Sequence, residues 1–368
     1  ISASRSNFGG DLTIEGNDLP QGVTMHAPPM PANMSTMPVV FEAAADAPIA
    51  GKLMKFQAKH VDPATGIKGH FKNRADLVVA APGQSLYVYK DVEQLPIAVV
   101  DELPFSLEIV QPKVPIVQNG EMALKVLIHR KEGFNEAVTL QFPFRPPGIG
   151  TRSTVVVPAG GTEAVYPLNA AGNAQVREWP IYVLGSANVN GTAWVSSQMA
   201  TLSVAAPYVS LALERAACEQ GQETQLYGKL TQTTAFEGKA SVELLGLPNL
   251  VTTTNLDFDK AAEELTFNVQ TDKTSPAGKH TNVFCRITIM ENGEPIVFRT
   301  AATTLQIDKP LPPPPNAPPK PMPMPVAQAP KPMPAPMPMA KPLTRLEKLR
   351  LAAKQRAEGG TPAGSEEN

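Results

Sequence analysis

Residues 133–187 read GFNEAVTLQFPFRPPGIGTRSTVVVPAGGTEAVYPLNAAGNAQVREWPIYVLGSA. Apolar and polar side chains alternate in short runs here, and Pro-Pro-Gly, Pro-Ala-Gly-Gly and Ala-Gly-Asn clusters interrupt them. Alternation with a period of two is typical of half-buried β-strands, and the clusters are typical of the turns between strands. The segment therefore predicts several short antiparallel strands.

The same pattern occurs on both sides of this segment. Counted from Phe134, the flanking copies begin at Phe8 and Phe236, and a proline follows twelve or thirteen residues later in each copy. Forty-eight residues after each reference phenylalanine stand three aromatic residues: Phe56, Tyr182 and Phe284. These landmarks predict a tandem repeat of about 100 residues, and short strands at that spacing predict an all-β chain of Ig-like or fibronectin-like antiparallel sandwiches.

The landmarks also predict domain boundaries. We predict a first repeat at 1–82, a β-rich inter-domain linker at 83–104, and further repeats at 105–207 and 208–308. Because only seven residues precede Phe8, the count aligns Ile1 with Leu127, inside a strand. The first repeat is therefore expected to be N-terminally truncated and least stable, with upstream domains in the same polypeptide.

The composition changes at residue 309. Sixteen of the 34 residues in 309–342 are proline, which predicts a disordered Pro/Met-rich linker with extended polyproline II conformation. Residues 343–368 include LTRLEKLRLAAKQRAE, in which Thr344 and Glu347 match a capping box. This segment predicts a short amphipathic basic helix and a disordered C-terminus.

Charge and hydropathy argue against a nucleic acid partner and against a membrane-spanning helix. The net charge is −2 and charged residues make up 18% of the chain, so we expect no nucleic acid partner. No apolar run reaches the roughly 18 residues that a membrane-spanning helix needs, so we expect no transmembrane segment. Protein or cell-surface polysaccharide partners stay open.

The sequence holds no pattern typical of catalysis or of cofactor binding. Its five histidines are scattered singly, and it lacks HExxH, CxxC, GxSxG and glycine-rich phosphate motifs. His60 and His70 flank a predicted hairpin, where we favour ordinary exposed histidines over a two-histidine metal site. For the Met-rich tail we favour a spacer over copper binding. We therefore expect no enzyme activity, no cofactor and no metal.

Two pairs of residues present alternatives. Cys218 and Cys285 lie in the third repeat, where a disulfide would join an early strand to a late one, or both are small buried side chains. Trp179 and Trp194 lie in the second repeat, where they form a glycan platform or pack at a sheet end or domain junction. The sequence leaves both choices open.

The phrases GFNEAVTLQF, VVVPAGGTEAVYPLNAAGNA and WPIYVLGSA resemble tandem Ig-like repeats of large secreted proteins in planctomycete-type bacteria. The phrase RSNFGGDLTIEGNDLPQGVT in the first copy looks like the same unit. In that group such repeats often follow bacterial pre-peptidase C-terminal domains. The resemblance implies an extracellular, cell-surface or periplasmic protein whose repeats are non-catalytic, and it transfers no catalytic or ligand residue.

These observations predict a non-catalytic structural or interaction segment of an exported bacterial protein, acting as a stalk or adhesive array. One alternative is the accessory region of an exported enzyme, such as a peptidase, with its catalytic domain upstream. Another is a glycan-binding module centred on the second repeat. Sequence pattern alone does not separate these functions.

Overall fold

The computed structural model describes residues 1–79 and 86–311. Within these residues the regular structure is β apart from a single 3-10 turn at Pro63–Thr65, which confirms the all-β prediction. The predicted terminal helix and nearly all of the predicted Pro/Met-rich linker lie outside the described residues.

The first repeat is organised around one long strand. Its strands are β1 (Leu12–Asn17), β2 (Val23–His26), β3 (Val40–Ala43), β4 (Ala50–His60), β5 (Lys68–His70), β6 (Asn73–Val79), β7 (Leu86–Val92) and β8 (Leu95–Val99). β4 pairs antiparallel with β1, β5 and β8, and the β4–β5 pair confirms the predicted hairpin around Pro-Ala-Thr-Gly. β2 pairs only with β3 and β6 only with β7 among the described residues.

The second repeat is a two-layer sandwich. Its strands are β9 (Phe105–Ile109), β10 (Ile116–Val117), β11 (Gly120–Arg130), β12 (Val138–Gln141), β13 (Ile149–Thr151), β14 (Thr154–Val157), β15 (Glu163–Ala170), β16 (Arg177–Ile181), β17 (Leu184–Asn188), β18 (Thr192–Ser196) and β19 (Ala200–Ala205). One layer has the order β9-β11-β15-β13; the other contains β14-β12-β17-β18 and the small β10-β19-β16 sheet. These sheets are antiparallel apart from the β10–β19 pair, and together they form an Ig-like sandwich.

The third repeat has the same arrangement. Its strands are β20 (Val209–Leu213), β21 (Ala216–Glu219), β22 (Glu223–Gln232), β23 (Ala240–Leu245), β24 (Val251–Thr252), β25 (Leu256–Phe258), β26 (Glu264–Thr271), β27 (Gly278–Glu291), β28 (Glu294–Arg299) and β29 (Thr303–Asp308). Asn292 and Gly293 join β27 to β28 with φ values of 51° and 80°. Positive φ at both turn residues suits the right-handed twist of a tight hairpin, as the Asn-Gly pair predicts.

The strand positions confirm the tandem repeat. β1, β12 and β23 begin at Leu12, Val138 and Ala240, each four residues after its reference phenylalanine. The repeat is therefore one sandwich unit used three times, and equivalent residues can be assigned from strand pairing.

The aromatic landmark is wrong by one residue in the first copy. Pairing of the equivalent strands gives Ile14↔Ala58, Leu140↔Gly185 and Val242↔Ile287. Phe56 therefore corresponds to Val183 and Cys285, whereas Tyr182 and Phe284 lie on the other face of their strands and are only half-buried. The first copy is one residue shorter before this point, and a shift of one residue exchanges the two faces of a strand.

The predicted linker at 83–104 is also wrong. β8 pairs with β4 from Ala50↔Val99 to Met54↔Leu95, as β19 pairs with β16 in the second repeat, so β8 is the last strand of the first repeat. The extra spacing between copies is occupied by the β6–β7 hairpin, inserted before that last strand. The hairpin pairs with itself, which is why its length does not disturb the sandwich.

The buried side chains do not divide evenly among the repeats. The second repeat has a large core whose fully buried members include Tyr166, Trp179 and Ile181. The third has a core of similar extent around Phe267 and Phe298. The first repeat has a small core of its own with three buried side chains: Ile14, Met54 and Phe56.

Candidate interaction surface

Residues 1–3 lie antiparallel to residues 35–37 and form an isolated β-bridge between Ser2 and Thr36. The Ile1 ammonium donates to the Met37 carbonyl (2.8 Å), Met37 N–H donates to the Ile1 carbonyl (2.9 Å), and Ala3 N–H donates to the Ser35 carbonyl (2.8 Å). On β11 the equivalent bond runs from Ile128 N–H to the Thr162 carbonyl, also at 2.8 Å. Ala3 is therefore the equivalent of Ile128.

This pairing corrects the alignment of the first residue. If Ala3 is equivalent to Ile128, Ile1 is equivalent to Val126 and not to Leu127, because the connection to β1 is one residue shorter than that to β12. The correction agrees with burial, since Ile1 and Ala3 are partly buried while Ser2 and Ser4 are exposed. The apolar side chains of this short segment thus face the sandwich interior.

Arg5 fixes the segment in place. Its guanidinium donates to three carbonyl oxygens of the loop before β3: those of Met34 at 2.6 Å, Pro31 at 3.0 Å and Met30 at 3.1 Å. Hydrogen bonds from a charged donor contribute more than neutral ones. The edge formed by residues 1–4 is therefore held by side-chain contacts as well as by strand pairing.

A groove of about 690 Å³ opens beside this edge. Apolar side chains from both walls line its floor: Ile1, Phe8, Ile14, Phe56, Ala58 and Phe71. In the second repeat the equivalent face is covered by β9, whose Phe105, Leu107 and Ile109 are buried. The groove is therefore the surface that β9 covers in the second repeat.

A second cavity of about 340 Å³ adjoins the first groove at Ile1, Phe56 and Phe71. It lies between the first two repeats, because Phe144 and Tyr182 of the second repeat form part of its wall.

The two cysteines do not form the disulfide that the sequence left open. Both are free; Cys285 is fully buried and Cys218 is half-buried. Cys218 lies opposite Ile307, which pairs with Gly278, and Cys285 is seven residues farther along β27. At about 3.3 Å per residue this separation greatly exceeds the reach of a disulfide.

Burial reduces the reactivity of the thiols, most strongly at Cys285. It raises the pKa of Cys285 to about 12 and also raises the pKa of Cys218. Because the thiolate is the reactive form, the fully buried Cys285 is kept inert in the folded protein.

Trp179 and Trp194 do not form the glycan platform that the sequence left open. Trp179 is 1% exposed, and its indole N–H donates to the Gln175 carbonyl at 3.1 Å. Trp194 is 50% exposed and lies on β18, in a different sheet. A sugar platform needs exposed neighbouring rings, so packing decides the position of Trp179.

The histidines of the β4–β5 hairpin also do not face each other. His70 pairs with Gln57, while the backbone N–H of His60 donates to Ile67. The His60 ring contacts the Gly9 and Asp62 carbonyls, and the His70 ring lies 3.5 Å from a Glu93 oxygen. In the described part of the chain, no three His, Cys, Asp or Glu side chains cluster as a metal site.

The sandwich has counterparts among solved structures. They include a protein of unknown function from Porphyromonas gingivalis W83, the D0-D1 domain of intimin and fibronectin(III)-like modules of Clostridium thermocellum CbhA. Each match covers 55% of this chain and, in that order, 99%, 97% and 92% of the other. Identities are 11%, 11% and 10%, and TM-scores are 0.21, 0.19 and 0.20.

No protein-family model matches the sequence, and no curated protein matches it either. Likeness at the TM-scores above adds nothing to what the strand order itself shows. Among the described residues no helix has the length and apolar character to cross a membrane. The functional argument therefore rests on the contacts within the chain.

Sequence analysis did not predict the groove beside the edge formed by residues 1–4. Nothing in the sequence showed that Phe56 and Phe71 lie beside that edge, since these contacts join residues far apart in the chain.

Proposed function

We propose that this chain is a non-catalytic structural and interaction segment of an exported bacterial protein, in which successive sandwiches act as a stiff stalk or adhesive array. The observation that carries the proposal is the junction between the second and third repeats. There, one sheet continues from one repeat into the next.

The junction is built by backbone pairing. β11 pairs with β28 of the third repeat, with Gly120 opposite Phe298 and Glu121 opposite Val297. The Arg299 N–H donates to the Asn119 carbonyl at 3.0 Å. Hydrogen bonds between strands restrict rotation in a way that a flexible linker does not, so the two repeats are held as one body.

Side chains strengthen the same junction. Ile116 and Val117 are neighbours in β10, yet Ile116 is buried in the second core and Val117 in the third. Val114 also packs in the third core, and Met122 contacts both cores. The segment before β11 therefore belongs to two sandwiches at once.

Gly120 makes the close approach possible. A Cβ atom at this position would lie 2.6 Å from the Val117 carbonyl oxygen and 2.7 Å from the Val297 carbonyl oxygen. Both are backbone atoms, so neither can move aside without displacing a strand. A side chain at Gly120 would therefore separate the repeats.

The first repeat is attached to the second through shared burial. Leu12, Met30 and Met37 belong to the core that contains the buried side chains of the second repeat. The Asn33 amide also donates to the Gln175 side chain at 3.0 Å. Burial of apolar side chains across a junction favours a fixed orientation over free movement.

The buried thiol of Cys285 is compatible with export. Free cysteines in an oxidising compartment persist when they are inaccessible and protonated, which is the condition of Cys285. Antibodies against residues 105–308 should bind intact cells of the source bacterium or recover the protein from the culture fluid. Detection only after lysis would contradict export to the surface or medium.

Pulsed electron spin resonance can test stiffness. Nitroxides at Ser153 and Lys260, in a Cys218→Ala background, should give one narrow distance distribution, because Cys285 is buried and escapes labelling. Gly120→Ala should broaden the distribution. Gly69→Ala is the matched control, since a Cβ there meets nothing within 4 Å. A broad distribution in the parent chain would show that the repeats move independently.

A further inference from the structure

We propose that the third repeat bears mechanical load, and that the parallel pair of its β21 and β29 strands is the clamp that resists tension along the chain. The inference rests on the proposed stalk function, because a stalk that joins two bodies is pulled at its two ends. It adds a property that stiffness does not imply, which is resistance to forced unfolding.

The clamp joins the first and last parts of the third repeat. β21 pairs parallel with β29 over four residues, from Ala216↔Leu305 to Glu219↔Asp308. The Gln220 N–H extends the ladder by donating to the Asp308 carbonyl at 2.9 Å. β29 is the last strand of the sandwich, so a pull from the residues that follow it acts on this strand first.

The entry strand of the repeat runs along the same line as β21. β20 pairs antiparallel with β22, and Glu214 continues that register by donating its N–H to the Tyr227 carbonyl at 2.8 Å. The Ala217 carbonyl then accepts a hydrogen bond from the hydroxyl of Thr224, on the same strand β22. β20 and β21 therefore form one line that runs antiparallel to β22 and parallel to β29.

This arrangement decides how the ladder is loaded. Because β20, β21 and β29 run in one direction, the entry at Val209 and the exit at Asp308 lie at opposite ends of the sandwich. Tension between these two points slides β21 along β29, so the ladder bonds are strained together. In a hairpin that is pulled at its two adjacent ends, the bonds break one after another. The parallel ladder therefore slows forced unfolding, which is governed by the unfolding rate.

Side chains hold both strands of the ladder in place. Leu305 and Ile307 of β29 are fully buried in the third core, and Cys218 packs against the same core from β21. The Glu219 carbonyl accepts a hydrogen bond from the Thr271 hydroxyl at 3.1 Å. Sliding must therefore pull apolar side chains out of the core as well as break the ladder.

The second repeat has a shorter ladder of the same kind, in which β10 pairs parallel with β19 over two residues. Glutamine side chains extend it. The Gln111 amide donates to the Thr201 carbonyl at 2.6 Å and accepts from the Thr201 N–H at 3.0 Å. Gln198 exchanges the same two bonds with the backbone of Ile109, at 2.7 and 3.0 Å. The device recurs, and the third repeat has the longer ladder.

Single-molecule force spectroscopy of the full chain can test the direction of loading. In a Cys218→Ala background, handles attached through Ser210→Cys and Leu311→Cys pull on opposite ends of the ladder. Handles attached through Gln222→Cys and Leu311→Cys pull on the same end, because Gln222 lies beside the Asp308 end. The hydrogen bonds are the same in both proteins, so the first handle pair should require a higher unfolding force at the same loading rate.

Both handle pairs enclose the third repeat alone. Its complete unfolding should lengthen the tether by on the order of 300 Å, which distinguishes it from partial opening. Cys285 is fully buried and does not compete for the handles.

A matched pair of proline substitutions tests the ladder itself. Since the Gln220 N–H belongs to the ladder, alternation places the N–H of residue 218 in it and the N–H of Ala217 outside it. With the opposite-end handles, Cys218→Pro should speed unfolding at constant force by about fivefold, whereas Ala217→Pro should leave the rate nearly unchanged. Amide hydrogen exchange along β26 should be the same in both variants, which shows that they are folded.

Equal unfolding forces for the two handle pairs would overturn the proposal, because a clamp depends on the direction of force and overall stability does not. Equal unfolding rates for Cys218→Pro and Ala217→Pro would also overturn it, since the ladder would then bear no load. Spin-label distances test the stalk separately, so a stiff junction without a clamp is distinguished from a clamp beside a flexible junction.

Discussion

The first and second repeats share a strand order but differ in how their interiors are closed. In the second repeat β9 and β11 lie over the opposite sheet, and side chains such as Tyr166 and Leu168 are almost completely buried. In the first repeat residues 1–3 and the β2–β3 pair are the equivalents of that layer, and a groove lies next to Phe56. The comparison teaches that two repeats can share their strand pairing and still differ in how many side chains they bury between the layers.

The difference has an energetic origin. Each buried apolar side chain contributes about 1.5–3 kcal/mol relative to exposure, so a sandwich gains most of its stability from the surface shared by its two layers. The first repeat recovers part of this stabilisation because its Leu12, Met30 and Met37 side chains are buried in the core of the second repeat. Its stability therefore depends on its neighbour more than that of the second repeat does.

The largest expected effect is in the closed core. Trp179→Ala should lower the free energy of unfolding of the second repeat by about 4 kcal/mol, since the indole is buried and its removal leaves a cavity. Urea unfolding followed by circular dichroism measures the loss. Trp194→Ala is the control, and because half of that side chain is exposed its cost should be under about 1 kcal/mol. Equal losses would contradict the assigned core.

The matched substitution in the open core should cost less. Phe56→Ala should lower the free energy of unfolding by about 2 kcal/mol, below the usual range for a buried phenylalanine, because water in the groove can fill the vacated space. Amide hydrogen exchange along β4 reports this local loss. If it exceeds the loss at Trp179, the interior of the first repeat is closed in solution.

An effect of intermediate size is expected in the third repeat, whose stability should decrease at alkaline pH. Burial, and then the neighbouring Glu291, raises the pKa of Tyr208 to about 12. The unfolded side chain titrates near pH 10, so its contribution to stability is present below about pH 10 and is lost as the pH rises toward 12.

Urea midpoints of the third repeat at pH 9, 10 and 11 test this linkage. The parent chain should lose more stability over the interval than Tyr208→Phe, which cannot ionise. Some loss should persist in the variant, because the pKa of Cys285 is also raised to about 12 by burial. Parallel curves for the two proteins would contradict the linkage to Tyr208.

The smallest effects are expected at two exposed ion pairs, one in each repeat, where the first and second repeats should lose similar amounts of stability. Lys59 and Glu15 approach to 2.6 Å in the first repeat, and Lys125 and Glu163 to 2.7 Å in the second, with exposed side chains in both pairs. Glu15→Gln and Glu163→Gln should each change the free energy of unfolding by about 0.5 kcal/mol or less. A clearly larger cost in one repeat would show that its pair is shielded from water.

Local patterns predicted the fold class and the hairpin that His60 and His70 flank. Alternation and the Asn292-Gly293 turn depend on neighbouring residues, so the sequence contains the information directly. Counting forty-eight residues from each reference phenylalanine gave the wrong equivalent residue in the first copy, because that copy is one residue shorter before Phe56. A shift of one residue moves a side chain to the opposite face of its strand. The linker was wrong because an inserted hairpin and a linker look alike in sequence.

The candidate site was less predictable than the fold. A disulfide between Cys218 and Cys285 depends on a separation that strand register fixes, and the exposure of Trp179 depends on which sheet covers it. The groove joins residues 1–8 to β4 and Phe71, which no local pattern connects. Such properties arise from tertiary pairing and become visible only with the strand register.

The position of Ile116 and Val117 in two different cores has a consequence for how the chain could be rearranged. Duplication of a single repeat copies its strands, but it cannot copy a dipeptide whose neighbours belong to separate sandwiches. An insertion or a recombination point between residues 113 and 122 would leave apolar surface exposed on both products. The second and third repeats would therefore have to be duplicated or exchanged together as one unit, although the sequence period is that of a single sandwich.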